Sequence, residues 1–227
     1  MRVQVEAVLT PAELQEIRAE LGAAAWIDGR VTAGAQAQQV KNNLQLAEDH
    51  PLTATLRNKV LAALQRSTVF FAAAFPRQIY PPLFNRYEGA QNAYGAHVDS
   101  AMRTLPAPGT RMRADISATL FLSSPNEYAG GELVVEDSLG AQAFKLVAGN
   151  LLLYPADSVH SVRPVVQGQR LASVFWIESL VRSADQRRAL WELDMSVQSL
   201  RQRHGQSPEV LALTSVYHNL LRMWAQT

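Results

Sequence analysis

Hydrophobic and polar positions along the chain fall into three regimes. In the first, residues 1–9 alternate as a strand does, with Val3, Val5, Val8 and Leu9 apolar. Thr10-Pro11-Ala12-Glu13 is a capping box with proline at the first helical position, and Leu14, Ile17 and Leu21 follow at helical spacing. This helix is expected to stop between Gly22 and Ala25. Trp26 to Arg30 reads as a short strand and turn. Residues 35–48, containing VKNNLQL, read as chain entering or leaving a helix. Leu56, Val60, Leu61 and Leu64 mark a second helix over residues 52–64.

After Phe75-Pro76 the period changes. PLFNRY, GAHVD, ADISATLFLS, GELVVED, AFKLV, NLLLYP, HSVRPVV and RLASVFWIES are short β-type runs punctuated by Gly, Pro, Asn and Asp. Many short strands without long intervening helices predict a sandwich or barrel and argue against a doubly wound α/β fold. Residues 100–113, SAMRTLPAPGTRMR, read as a loop, equally a mobile lid or a plain surface loop. From residue 182 the helical pattern returns. One helix starts near Ser183 and carries Leu190, Leu193, Val197 and Leu200. After the break at residues 204–208, a last helix carries Val210, Leu213, Val216, Tyr217, Leu220, Leu221 and Trp224. The predicted class is α+β with a mainly β core and helices packed on it at both ends. Its expected regions are 1–77 as N-terminal helical and strand support, 78–178 as core and 179–227 as C-terminal helices.

Composition narrows the chemistry. The 227 residues, 48% of them hydrophobic, suffice for one sizeable core. A net charge of +1 gives no reason to expect nucleic acid or a membrane surface as partner. No apolar run approaches a membrane span and the N-terminus lacks a secretory h-region, so a cytoplasmic protein is expected. With no cysteine, thiolate nucleophiles and Cys-type zinc sites are excluded, and any metal must use His and carboxylate.

That constraint singles out His97-Val98-Asp99. In a strand, residues i and i+2 share a face, so one imidazole and one carboxylate would converge. An antiparallel sheet could bring His160 beside them. Two His and one carboxylate on one face of an ion form the facial triad of non-haem Fe(II) oxygenases. Arg170 follows across an expected hairpin turn at Gln167-Gly168-Gln169, and a permanently charged fork there suits a carboxylate-bearing co-substrate. Period 2 places Ala172, Val174 and Trp176 on the Arg170 face, with Trp176 either a pocket wall or a core residue. His50, His204 and His218 lie outside the β region and read as ordinary.

The ordered set resembles the Fe(II)- and 2-oxoglutarate-dependent dioxygenases of the prolyl 4-hydroxylase-like branch, and more closely the bacterial PKHD-type hydroxylases. It comprises His97-Val98-Asp99, Gly130-Gly131-Glu132-Leu133, Gly149-Asn150-Leu151, His160-Ser161-Val162-Arg163-Pro164, Arg170 and Trp176, with Val40-Lys41-Asn42-Asn43 upstream. The resemblance implies a double-stranded β-helix, or jelly roll. It implies His97, Asp99 and His160 as iron ligands and Arg170 on the distal carboxylate of 2-oxoglutarate, with Tyr87 and Tyr94 close to co-substrate and metal. Where some branches carry a Ser two residues after the Arg, this chain has Ala172. The implied reaction couples decarboxylation of 2-oxoglutarate, with O2, to hydroxylation of a C–H bond, with L-ascorbate as possible reductant. It also implies a small-molecule or peptide substrate and a link to bacterial iron uptake, hence a siderophore-like compound. Arg103, Arg111 and Arg113, on or beside the 100–113 loop, read either as attractors of an anionic compound or as solvated loop arginines. A cupin-like metal protein that uses no 2-oxoglutarate is the alternative, and a purely structural β-sandwich a third. The apolar C-terminal helices favour a homo-oligomer.

Overall fold

In a computed structural model, residues 1–32, 34–106, 109–137 and 140–226 are described. The N-terminal region runs β1 (Val3–Val5), α1 (Pro11–Ala23), β2 (Trp26–Asp28), α2 (Ala35–Gln38), β3 (Lys41–Asn42), β4 (Leu44–Leu46), α3 (Pro51–Arg66) and α4 (Thr68–Ala74). The middle holds β5 (Pro76–Ile79), β6 (Leu83–Tyr87), β7 (Ala93–His97), β8 (Met102–Thr104), β9 (Arg111–Arg113), β10 (Ile116–Phe121), β11 (Tyr128–Gly130) and β12 (Leu133–Asp137). It continues with β13 (Gly140–Phe144), β14 (Leu151–Pro155), β15 (His160–Val162), β16 (Val165–Gly168) and β17 (Arg170–Ser179). Helices α5 (Ala184–His204) and α6 (Pro208–Trp224) close the chain.

Two antiparallel sheets face each other as a jelly roll. The larger has the order β1-β14-β10-β17-β6-β4-β2, with β5 also on β17; the smaller has the order β13-β12-β15-β7-β3. Strand alternation explains how one sheet serves two cores. Ile116, Ala118 and Leu120 of β10, Leu151 and Leu153 of β14, and Leu171, Phe175 and Ile177 of β17 turn outward. They pack on Ile17 and Leu21 of α1 and on Leu56, Val60 and Leu64 of α3. The opposite face packs between the sheets, where Tyr87, Phe121, Leu152 and Tyr154 meet Leu133, Val135 and Val162. Polar residues of β10 and β17 share this inner face, which leaves a cavity at one end of the sandwich.

Local signals fix the helix starts. Thr10 accepts from the Glu13 amide while the Glu13 carboxylate takes the Thr10 amide, a complete capping box. Ser183 and Ser207 cap α5 and α6. His50 caps α3 by accepting from the Leu52 amide. The C-terminal helices bury Leu190, and Tyr217, Leu221 and Trp224 pack against Phe75 and Val181 in a separate cluster.

Several elements differ from the sequence expectations. The first strand covers only Val3–Val5, because Ala7 turns to φ 47°. Residues 41–46, read as chain beside a helix, are strands β3 and β4, which pair with β7 and β6. Helix α4 was not expected; it ends on Phe75 in the left-handed region. The 100–113 loop contains a hairpin, with Met102 opposite Arg113 and Thr104 opposite Arg111. Ala107 and Pro108 of that stretch lie outside the described residues. The strand expected at AFKLV lies earlier, at Gly140–Phe144. The turn before Arg170 is no hairpin: β16 pairs with β11, while β17 pairs with β6 and β10. Gly168, at φ +76°, makes that crossing possible, since a Cβ there would lie 2.2 Å from the Glu127 carbonyl oxygen.

Candidate active site

The inner end of the sandwich brings His97, Asp99 and His160 together. Each offers one ligand atom, and these atoms lie within 4.8 Å of one another. The two histidines are directly opposite on paired strands β7 and β15, with ring centroids 4.2 Å apart. His160 Nε2 stands 3.5 Å from Asp99 Oδ2. Strand β7 stops at His97, so Asp99 is not set by strand alternation as expected. Its carboxylate is instead oriented by the Ser117 hydroxyl, which donates to Oδ2 at 2.6 Å, and by Arg103 Nη2, 3.6 Å from Oδ1.

Backbone carbonyls fix both rings. His97 Nδ1 lies 2.8 Å from the Gly95 oxygen, and His160 Nδ1 lies 3.0 Å from the Ser158 oxygen. A carbonyl only accepts, so each Nδ1 carries the proton and each Nε2 presents its lone pair. Burial, reinforced by neighbouring His160, holds His97 down at about 4, so it is neutral near pH 7. Tyr94 stacks on His97 with centroids 3.7 Å apart, and Tyr154 meets His160 edge-on at 5.1 Å. Burial raises both phenols, which therefore stay neutral. Two imidazoles beside one carboxylate suit a borderline divalent ion with open positions opposite the protein.

Arg170 lines the same cavity, which measures about 260 Å³. It is 1% exposed, and its Nε and Nη2 have no hydrogen-bond partner among the described residues. Its guanidinium carbon sits 5.1 Å from the Tyr87 ring centroid and 5.4 Å from that of Phe121. A desolvated cation with spare donors is a poor structural element and a good carboxylate receptor. Gly131 makes room for it: a Cβ there would lie 3.1 Å from Arg170 Cδ and 2.8 Å from Val165 Cγ2. Tyr87 is opposite Arg170 in the β6–β17 register; burial pushes its phenol up, against the pull of Arg170. Val174 and Trp176 line the cavity with Arg170, the face that period 2 predicts.

Sequence reasoning passed over several residues. Ser117 and Thr119 put two hydroxyls on one face of an otherwise apolar strand, and that alternation was the available signal. Tyr128 packs beside Arg170 without meeting hydrogen-bond geometry. Arg103, named as an attractor of anions or a solvated loop arginine, is largely buried against Trp176, with its guanidinium carbon 3.1 Å from the ring centroid. Arg113 pairs with Asp115 at 2.6 Å, and Arg111 is exposed. Lys41, seen only within a motif, is buried at the cavity wall, and burial lowers it to about 8.

Comparison with known proteins accords with this geometry. The chain matches the 2OG-Fe(II) oxygenase superfamily over residues 82–178 and the PKHD-type hydroxylase C-terminal domain over residues 185–226. It is 54% identical to a PKHD-type hydroxylase of Verminephrobacter eiseniae over 220 residues, 97% of each chain. It is 52% identical to one of Nitrosomonas europaea over 227 residues, the whole of both. Among solved structures, a prolyl hydroxylase from Trichoplax adhaerens, in complex with a hypoxia inducible factor peptide fragment, shares the fold. That likeness has a TM-score of 0.53 and 12% identity over 83% of this chain and 86% of the other. Neither a cupin-like protein without 2-oxoglutarate nor a purely structural sandwich fits these relationships. The chain belongs to the PKHD-type hydroxylases, 2-oxoglutarate-dependent enzymes that use Fe(II) and O2.

Proposed function

We propose that His97, Asp99 and His160 hold Fe(II) and that Arg170 receives the distal carboxylate of 2-oxoglutarate. The observation that carries this reading is a buried guanidinium, with donors unpartnered among the described residues, in the same cavity as a two-His, one-carboxylate cluster. When bound, iron and 2-oxoglutarate supply the oxidising chemistry, releasing succinate and CO2 as a substrate C–H bond is hydroxylated. The chain's own residues position and shield. Gly95 and Ser158 carbonyls hold the imidazoles in one tautomer. Ser117 aims the Asp99 carboxylate. Tyr94 covers one face of His97, Tyr87 lies under the guanidinium, and Trp176 walls the cavity.

The finer reading rests on the resemblance. It takes the substrate as a small molecule or peptide, a siderophore-like compound of bacterial iron uptake first, with L-ascorbate as reductant. Net charge and hydropathy, not the resemblance, support a cytoplasmic enzyme with neither nucleic acid nor membrane as partner. Among the described residues no helix is long and apolar enough to cross a membrane. Residues 1–77 serve as support for the 78–178 core, and residues 179–227 form a C-terminal helical region. Leu211, Val216 and Met223, exposed on α6, support homo-oligomerisation, which light scattering would test.

The site assignment is tested by anaerobic titration of Fe(II) and then 2-oxoglutarate, following the weak visible charge-transfer band of a chelated keto acid. The band is expected in the unaltered protein and absent in Asp99→Ala. Tight iron binding without a band would disprove the co-substrate assignment. A full band and full hydroxylation in Asp99→Ala would remove Asp99 from the ligand set.

A further inference from the structure

The cavity holds more positive charge than iron and 2-oxoglutarate account for. Its described lining carries Lys41, Arg103 and Arg170 as cations and Asp99 as the one carboxylate. The two charges of Fe(II) and the two of 2-oxoglutarate cancel, so loading leaves this excess standing. Arg170 is matched by the distal carboxylate and Asp99 by the ion.

Arg103 is built to meet a ligand. It rises from β8 and is clamped by two rings, 3.1 Å over Trp176 and 5.6 Å over Tyr80, which themselves meet edge-on at 5.5 Å. Its Nε and the Trp176 Nε1 are buried donors with no partner among the described residues. Its contact with Asp99, at 3.6 Å, is loose for a charge-assisted hydrogen bond. Lys41 adds its charge from strand β3, with Nζ 5.5 Å over the Tyr94 ring and 3.1 Å from Gln45 Oε1. Both cations therefore flank the metal-ligand cluster, Lys41 over the Tyr94 ring that stacks on His97 and Arg103 beside Asp99. A largely buried guanidinium with an unmade donor is costly unless an anion joins it.

Resting on the reading above, we propose that the hydroxylated substrate carries a carboxylate, bound by Arg103 and the Trp176 indole N–H in the field of Lys41. A neutral substrate would leave those donors desolvated and unpaired, which selects against it.

The test uses matched probes on the Fe(II)- and 2-oxoglutarate-loaded protein under anaerobic conditions: N-acetylglycine against N-acetylglycinamide, by calorimetric titration. The visible band is monitored throughout to show that 2-oxoglutarate stays in place. The acid is expected to bind about tenfold or more tighter than the amide. Arg103→Met should erase most of that preference, Arg103→Lys should keep much of it, and Lys41→Met should weaken it. No preference in the unaltered protein, or one that Arg103→Met leaves unchanged, overturns the proposal while the parent reading stands. Loss of the band in Arg103→Met would make Arg103 a support of the iron site and overturn it too. Absence of the band in the unaltered protein would remove the parent reading and this one with it.

Discussion

Replacing Arg170 with Met should move stability and ligand binding in opposite directions. The guanidinium is 1% exposed, and no described residue partners its Nε and Nη2. Two buried donors without partners cost about 1–3 kcal/mol each. The Tyr87 and Phe121 rings offset part of this through cation–π attraction, about 1–2 kcal/mol each. A methionine of similar length keeps the ring contacts and removes the desolvated charge, so the variant gains on the order of 1 kcal/mol. For a chain of this size that is a rise of about 2–4 °C in Tm. The same substitution removes the partner of a buried carboxylate, which costs about 2–5 kcal/mol of binding, or roughly 30- to 5,000-fold in Kd. At a hundredfold excess over Kd, 2-oxoglutarate stabilises the unaltered protein by about 2.7 kcal/mol; at the same concentration the variant retains less than about 1 kcal/mol. Melting curves with and without 2-oxoglutarate, taken with Mn(II) as a redox-inactive ion, measure both effects at once. An equal ligand-induced shift in the two proteins would refute the carboxylate role. A fall of several degrees in the unliganded variant would refute the claim that the charge is held at a cost.

Other expectations follow from single features. In metal-stripped protein, His97 titrates about 4 rather than near 6.5, so between those values the unfolded chain binds a proton that the folded one refuses. Stability should fall as pH drops through that window and stay level above it, by denaturant midpoints, and His97→Gln should flatten the slope. Gly131→Ala combines φ +69° with a Cβ 3.1 Å from Arg170 Cδ. It should lose about 1–3 kcal/mol and raise the 2-oxoglutarate requirement, whereas unchanged melting and affinity would show that the packing gives way freely. Thr10→Ala should cost about 1 kcal/mol from the α1 cap and leave the visible band untouched; a weakened band would mean that α1 bears on the site.

The sequence made some of this legible and hid the rest for identifiable reasons. Period 2 along β17 ordered Arg170, Ala172, Val174 and Trp176 correctly because both faces of that strand are buried by different partners. The capping box at Thr10 was readable because it is local. By contrast, β3 and β4 are two and three residues long and gain their identity from pairing with β7 and β6, which no local period reveals. The β8–β9 hairpin was hidden by its prolines and arginines. The sequence left Arg103 between an anion-attracting and a solvated role, since only the fold brings Tyr80 and Trp176 around it. The triad could be proposed from its order alone, yet the device that aims Asp99, a hydroxyl from β10, was invisible until the sheets were assembled.

The pairing of His97 with His160 on one rung of the β7–β15 ladder separates folding from metallation. The two imidazoles are aligned by main-chain hydrogen bonds and by the pairing of their strands, which predicts an apoprotein that keeps its shape. A small metal-nucleated domain collapses when its ion is chelated. This enzyme should shed and regain iron as a folded molecule, and its fraction of active copies would then track the supply of iron around it.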